Sequence, residues 1–318
     1  MKIKNILQTT AVALLMLIMM PAHAQQEGQF TQFMNNRMAL NPAFAGARGM
    51  GSLTAIYRNQ WLGFDGAPEN KLISFNAPFA GDRVGFGLTI LNQTIGITDQ
   101  WTGSMAYAYN IKINEETSVR FGLQGSMRYL GIDFADPSVF VVDENDASFS
   151  DEMQDRYTGN FGVGVYLTFK DLYFGVSVPH MFPNEITFNN QNTFLVAQES
   201  PHYYLMTGAM LEMNENLHFR PSLLFKYVEN APFDMDVNLS MVFKYQFTIG
   251  ASYRLGGDNA GEAISVNTMY QHRNIGIGLA YDYSLSDLRD HANGSLEVLV
   301  RYDFSKERDD IENPRFFN

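Results

Sequence analysis

From residue 118 to 129 the chain alternates, with Val119, Phe121, Leu123, Met127 and Tyr129 set against Ser118, Arg120, Gln124, Ser126 and Arg128. The same period of two runs through Met105, Tyr107, Tyr109, Ile111 and Ile113, against Ala106, Ala108, Asn110 and Lys112. It returns in Phe161, Val163, Val165, Leu167 and Phe169, and in Leu296, Val298, Val300, Tyr302 and Phe304, against Ser295, Glu297, Arg301 and Asp303. A strand sends successive side chains to opposite faces, whereas a helix would scatter each set around its axis. The pattern predicts fourteen strands, near 52–58, 71–77, 83–92, 102–113, 118–130, 158–169, 172–179, 203–213, 217–227, 235–244, 247–254, 263–270, 274–283 and 295–304.

Alternation alone does not say which face meets water, because a soluble sandwich also reads apolar on one face and polar on the other. Three features decide for a membrane barrel. Several runs reach the roughly 9–11 residues that a tilted strand needs to cross a bilayer, beyond the soluble mode near 5 or 6. Aromatic residues crowd the strand ends, at Tyr129, Phe134, Phe169, Tyr173, Tyr203, Tyr245, Phe247, Tyr283, Tyr302 and Phe304, where interfacial girdles sit. Connections after the first, third, fifth, seventh and thirteenth strands are long, and those after even-numbered strands are tight, as at Asn114 to Thr117, Lys170-Asp171 and Tyr245-Gln246. Long outer loops alternating with short periplasmic turns follow from one all-β fold, a transmembrane antiparallel outer-membrane β-barrel of about 14 strands.

The ends fit an exported chain. Lys2 and Lys4 precede an apolar stretch from Ala11 to Met20, and Ala22-His23-Ala24 supplies small residues for cleavage, so residues 1–24 are read as a signal peptide. The stretch is too short for a spanning helix, which needs roughly 20 residues, and Pro21 ends it. Residues 25–51 are expected to form an ordered periplasmic or lumen-entering segment, 52–304 the barrel, and 305–318 a periplasmic tail. The chain has no cysteine, which removes thiol chemistry, disulfides and a lipoprotein anchor. Loss of the two signal-peptide lysines moves the formal charge from −12 to −14, and nucleic acid becomes an unsuitable partner.

No catalytic constellation stands out, and no enzymatic activity, metal or cofactor is expected. His180, His202, His218, His272 and His291 include no pair at helical ligand spacing. Gly85-Phe86-Gly87, Gly162-Val163-Gly164 and Gly276-Ile277-Gly278 lie inside alternating strands with no following helix, so small residues facing a barrel interior explain them better than a phosphate loop. Asp143, Glu144, Asp146, Asp151, Glu152 and Asp155 are read as a solvated acidic loop rather than a calcium site. Arg120, Arg128, Arg220, Lys226, Lys244, Arg254 and Arg301 are candidates for the inner face. They either line water or pair with Glu212, Asp236 and Glu297 in a filled lumen.

Several stretches together resemble a known family. They are Gln29-Phe30-Thr31-Gln32-Phe33, Asn41-Pro42-Ala43-Phe44-Ala45-Gly46 and Tyr57-Arg58-Asn59-Gln60-Trp61, then Phe219-Arg220-Pro221-Ser222 and Gly278 through Ser284, with Gly294-Ser295-Leu296-Glu297 after them. In this order they resemble the PorP/SprF outer-membrane proteins of the type IX secretion and gliding machinery of Bacteroidota. The resemblance implies a non-enzymatic role in secreting, docking or anchoring cargo adhesins that carry a type IX C-terminal signal domain, with contacts to periplasmic machine subunits and outer-membrane lipid. Asn41, Pro42, Phe44, Gly46, Arg58, Asn59 and Trp61 are the candidate partner-binding residues on this basis. From the residues alone, Asn41-Pro42 favours an extended or turn conformation that Gly46 ends. Arg58 and Trp61 read equally as a lumen charge and an interface anchor. The rival function is a passive or hydrophobic-solute channel, prompted by the glycine-rich inner faces.

Overall fold

A computed structural model of the chain describes residues 28–137, 153–187, 195–229, 231–256 and 261–304. Seven strands come first: β1 (Gly51–Asn59), β2 (Glu69–Phe79), β3 (Val84–Ile95), β4 (Thr98–Lys112), β5 (Thr117–Asp133), β6 (Met153–Phe169) and β7 (Leu172–Val178). A separate hairpin follows, β8 (Asn184–Thr187) with β9 (Leu195–Glu199). The wall then resumes with β10 (His202–Ala209), β11 (Leu211–Asn214), β12 (Leu217–Val228), β13 (Asp234–Phe243), β14 (Phe247–Leu255), β15 (Gly261–His272), β16 (Ile275–Ser284) and β17 (Ser295–Phe304). β10 and β11 are one stave interrupted at Met210, and both pair with β12. β17 pairs antiparallel with β1, from Gly51 opposite Phe304 to Asn59 opposite Leu296. Fourteen antiparallel staves therefore close on themselves and leave no edge, so every stave finds its backbone partners in the wall.

The polarity of the wall is that of a membrane barrel. On β5, Leu123 and Met127 are 62% and 64% exposed while Arg120 and Gln124 are 4% and 7% exposed. On β4, Met105, Tyr107 and Tyr109 face out, and Ala106 and Ala108 are buried. Lipid offers no hydrogen-bonding partner, so apolar side chains face it and the polar set turns inward.

All fourteen expected staves are present, and four local expectations change. The third connection is not long: β3 and β4 run up to a two-residue turn, Gly96-Ile97, because both strands continue past bilayer height. β5 and β6 are likewise taller than expected, 17 residues each, and pair from Thr117–Phe169 up to Asp133–Met153. Tyr173 is not in the outer girdle but buried in the lumen. Lys244 sits in an exposed turn with φ 47°, and Glu212 is exposed, so neither charge belongs to the inner face. The expected signal peptide, the acidic residues Asp143 to Glu152 and the tail 305–318 lie outside the described residues; Asp155 is exposed on β6.

Candidate functional site: a plugged lumen

The interior is occupied by the chain's own residues 28–50. Three short 3-10 turns, Phe33–Asn35, Arg37–Ala39 and Pro42–Phe44, fold this segment into a compact plug. Asn41 is extended (φ −137°, ψ 112°), and its Oδ1 accepts from the Ala43 N–H at 2.9 Å; Pro42 at the first turn position has no N–H to leave unmatched. Gly46 ends the run at φ 71°, where a Cβ would be strained, and its N–H donates to Asn76 Oδ1 on β2 at 2.5 Å.

One side of the plug is apolar. Phe33, Met34, Met38, Ala43 and Phe44 form a buried cluster with Ala106, Tyr166, Tyr173, Met206 and Leu224 of the wall. Arg37 is threaded through it: Nη1 donates to the Tyr166 hydroxyl at 2.7 Å, and the guanidinium lies 3.7 Å from the centre of the Tyr173 ring, a cation–π arrangement. Wall glycines let the two backbones meet. A Cβ on Gly122 would collide with the Pro42–Ala43 backbone, and one on Gly164 with the Asn41 side chain. Asn41 Nδ2 donates to the Val165 and Val176 carbonyls at 3.1 and 3.4 Å.

The other side is held by charge. Glu297 on β17 accepts from the Thr31 and Gln32 N–H groups at 2.7 and 2.9 Å, and from Arg58 Nη1 at 3.4 Å. Arg58 Nη2 donates to Asp282 at 2.7 Å, and the Thr31 hydroxyl, which accepts from Arg58 Nη1 at 2.6 Å, donates to the same carboxylate. The chain of pairs continues around the wall from Asp282 to Arg254 (3.7 Å), from Arg254 to Asp236 (2.6 Å) and from Asp236 to Lys226 (2.8 Å). In a low-dielectric interior such charges persist only when paired. The inner charges thus belong to a filled lumen rather than to an open aqueous lining.

Asn41, Pro42, Phe44 and Gly46 come together inside the plug. Arg58 lies on the opposite wall, fully buried, and Asn59 and Trp61 sit at the rim of the first loop. Trp61 is half-buried at φ 50°, and its N–H donates to Ser295 Oγ at 3.3 Å. Sequence reasoning missed Asp282, Arg37 and the tyrosine pair Tyr166–Tyr173. Strand parity already places Asp282 inward, with Ala280 and Ser284, whereas nothing local marks Arg37.

The chain matches the family described as "Type IX secretion system membrane protein PorP/SprF" over residues 22–302. No curated protein matches it. Among solved structures it is similar to a TodX monoaromatic hydrocarbon channel mutant (TM-score 0.50, 10% identity, 85% of this chain and 94% of that one). It is also similar to the Ralstonia pickettii toluene transporter TbuX (TM-score 0.48, 9% identity, 85% and 93%). A third match is the Acinetobacter baumannii outer membrane protein Omp33 (TM-score 0.46, 7% identity, 80% and 98%). At these identities the first likeness speaks to the fold alone.

Proposed function

Because this chain belongs to the PorP/SprF family of type IX secretion system membrane proteins, and is an integral outer-membrane component on that ground and by its fold, we propose that it is a closed docking barrel, neither a pore nor an enzyme. Its long-loop end holds a secreted cargo protein bearing a type IX C-terminal signal domain. Its short-turn end meets periplasmic subunits of the machinery. The observation that carries this reading is the plug: a lumen filled by residues 28–50 and locked by Arg58, Asp282 and Glu297 leaves the outer surfaces and rims for work. It also weighs against the channel reading, since solute would have to displace a cluster of ten or so enclosed side chains.

Affinity purification from native outer membranes in mild detergent, with crosslinking and mass spectrometry, tests the proposal. The expected result is recovery of a large surface protein with a type IX C-terminal domain. Reproducible recovery of the barrel alone, together with normal surface abundance of every type IX cargo in a deletion strain, would overturn it.

A further inference from the structure

A cavity opens at the short-turn end, away from the loops assigned to cargo. It lies between plug residues Met34 and Asn35 and the wall, beside the β13–β14 turn at Tyr245 and Gln246, and its cavity volume is about 50 Å3. Among the described residues three arginines line it, Arg48, Arg220 and Arg301, and no carboxylate does. Arg48 and Arg301 share one enclosed carboxylate, Asp303, at 3.3 and 3.5 Å. Among the described residues Arg220 has no such partner: its Nε and Nη2 are buried without a hydrogen-bond acceptor. Asp171 on the β6–β7 turn and Glu212 on β11, which act electrostatically on Tyr245 at the mouth, are exposed, and neither lines the cavity.

A guanidinium with unmatched N–H groups is costly in an enclosed site, and its planar fork matches an oxyanion. We propose that this cavity is a binding site for a peptide carboxylate, received by Arg220 with Arg48 and Arg301 as flanking positive charge. The remaining lining favours an acidic side chain over a bare inorganic ion, because Met210, Met269 and Val242 offer apolar surface to its methylenes while Gln246 and Gln271 offer amides. Two sources of that carboxylate exist. One is the chain itself: residues 305–318 follow Phe304 at this same end and include Glu307, Asp309, Asp310 and Glu312. The other is an acidic segment of a periplasmic protein. The inference stands on the cavity alone and does not require the cargo reading.

The test uses a fluorescein-labelled peptide with the sequence of residues 305–318, and the same peptide with its four acidic residues changed to amides and its terminus amidated. Anisotropy is measured in detergent micelles against the full chain and against a chain ended after Phe304, which retains every strand of the barrel. The shortened chain is expected to bind the acidic peptide and not the neutral one, and Arg220→Gln to weaken binding at least about ten-fold. Arg220→Lys, which keeps the charge but not the fork, is expected to fall between. Binding to the shortened chain with little to the full chain identifies the tail as the occupant; equal binding to both assigns the carboxylate to another protein. Absence of binding to the shortened chain, or equal binding by Arg220→Gln in a barrel that still migrates as folded on unheated gels, overturns the proposal.

Discussion

Glu297 accepts three hydrogen bonds from donors brought by two distant parts of the chain, the plug backbone at Thr31 and Gln32 and the β1 guanidinium of Arg58. That convergence makes it the residue on which the plug's attachment turns. Replacing it with leucine strands Arg58 beside Asp282 alone and leaves two enclosed N–H groups without acceptors. Removing one partner of a buried pair costs about 3–5 kcal/mol. Glu297→Leu is therefore expected to lower unfolding stability in micelles by that amount in a urea titration. The double change Arg58→Met with Glu297→Leu should cost clearly less than the sum of the two single changes, because the charge that each single change strands is absent. Strict additivity would show that the pair is not coupled.

At the scale of elements, the wall glycines and the plug turns are two halves of one fit. Gly122 on β5 and Gly164 on β6 are adjacent in register, and together they admit the stretch from Asn41 to Ala43. A valine at position 122 has backbone as its obstacle, so the plug, with one covalent link to the barrel at Gly51, has to move. Since the chain has no cysteine, an Ala43→Cys probe reads this directly. The thiol is expected to resist maleimide in the parent barrel, where Ala43 is fully enclosed, and to react readily once Gly122→Val is added. Equal protection in both would show that the wall yields instead. These elements also show what a sequence carries. Every stave was legible, because period-two alternation and tight even-numbered turns are local signals. The heights of β5 and β6 were not, since residues above the bilayer no longer have to alternate strictly. Nor was Tyr173: its place near a strand end suggested the girdle, but its parity with Gly175 and Ser177 puts it inside. The plug itself carries no period, so its position had only the Asn41-Pro42 turn and Gly46 to suggest it, and its anchors on Asp282, Glu297 and Tyr166 are set by tertiary packing.

For the whole molecule, the fold is that of outer-membrane barrels, a group that includes channels, and what distinguishes this one is the content of its lumen. If residues 28–50 are what seals it, their removal should convert the barrel to a pore. The intact chain is expected to give no stable steps in planar bilayers, and a chain lacking Phe30–Ala45 to conduct. The selectivity of that conductance follows from the wall. Among the described residues at the vacated space, Arg58, Arg120, Arg128, Arg220, Lys226, Arg254 and Arg301 are matched in number by Glu199, Asp234, Asp236, Glu262, Asp282, Glu297 and Asp303. A ring of one sign selects against ions of that sign, and this lining carries both in equal number, so the reversal potential in a potassium chloride gradient should stay near zero. A silent deletion variant would mean that the wall collapses when its apolar cluster with Phe33, Met38 and Phe44 is lost, in which case the plug is the barrel's core as well as its seal. Circular dichroism of the same sample separates the two outcomes, since a collapsed wall loses strand signal and a sealed one keeps it.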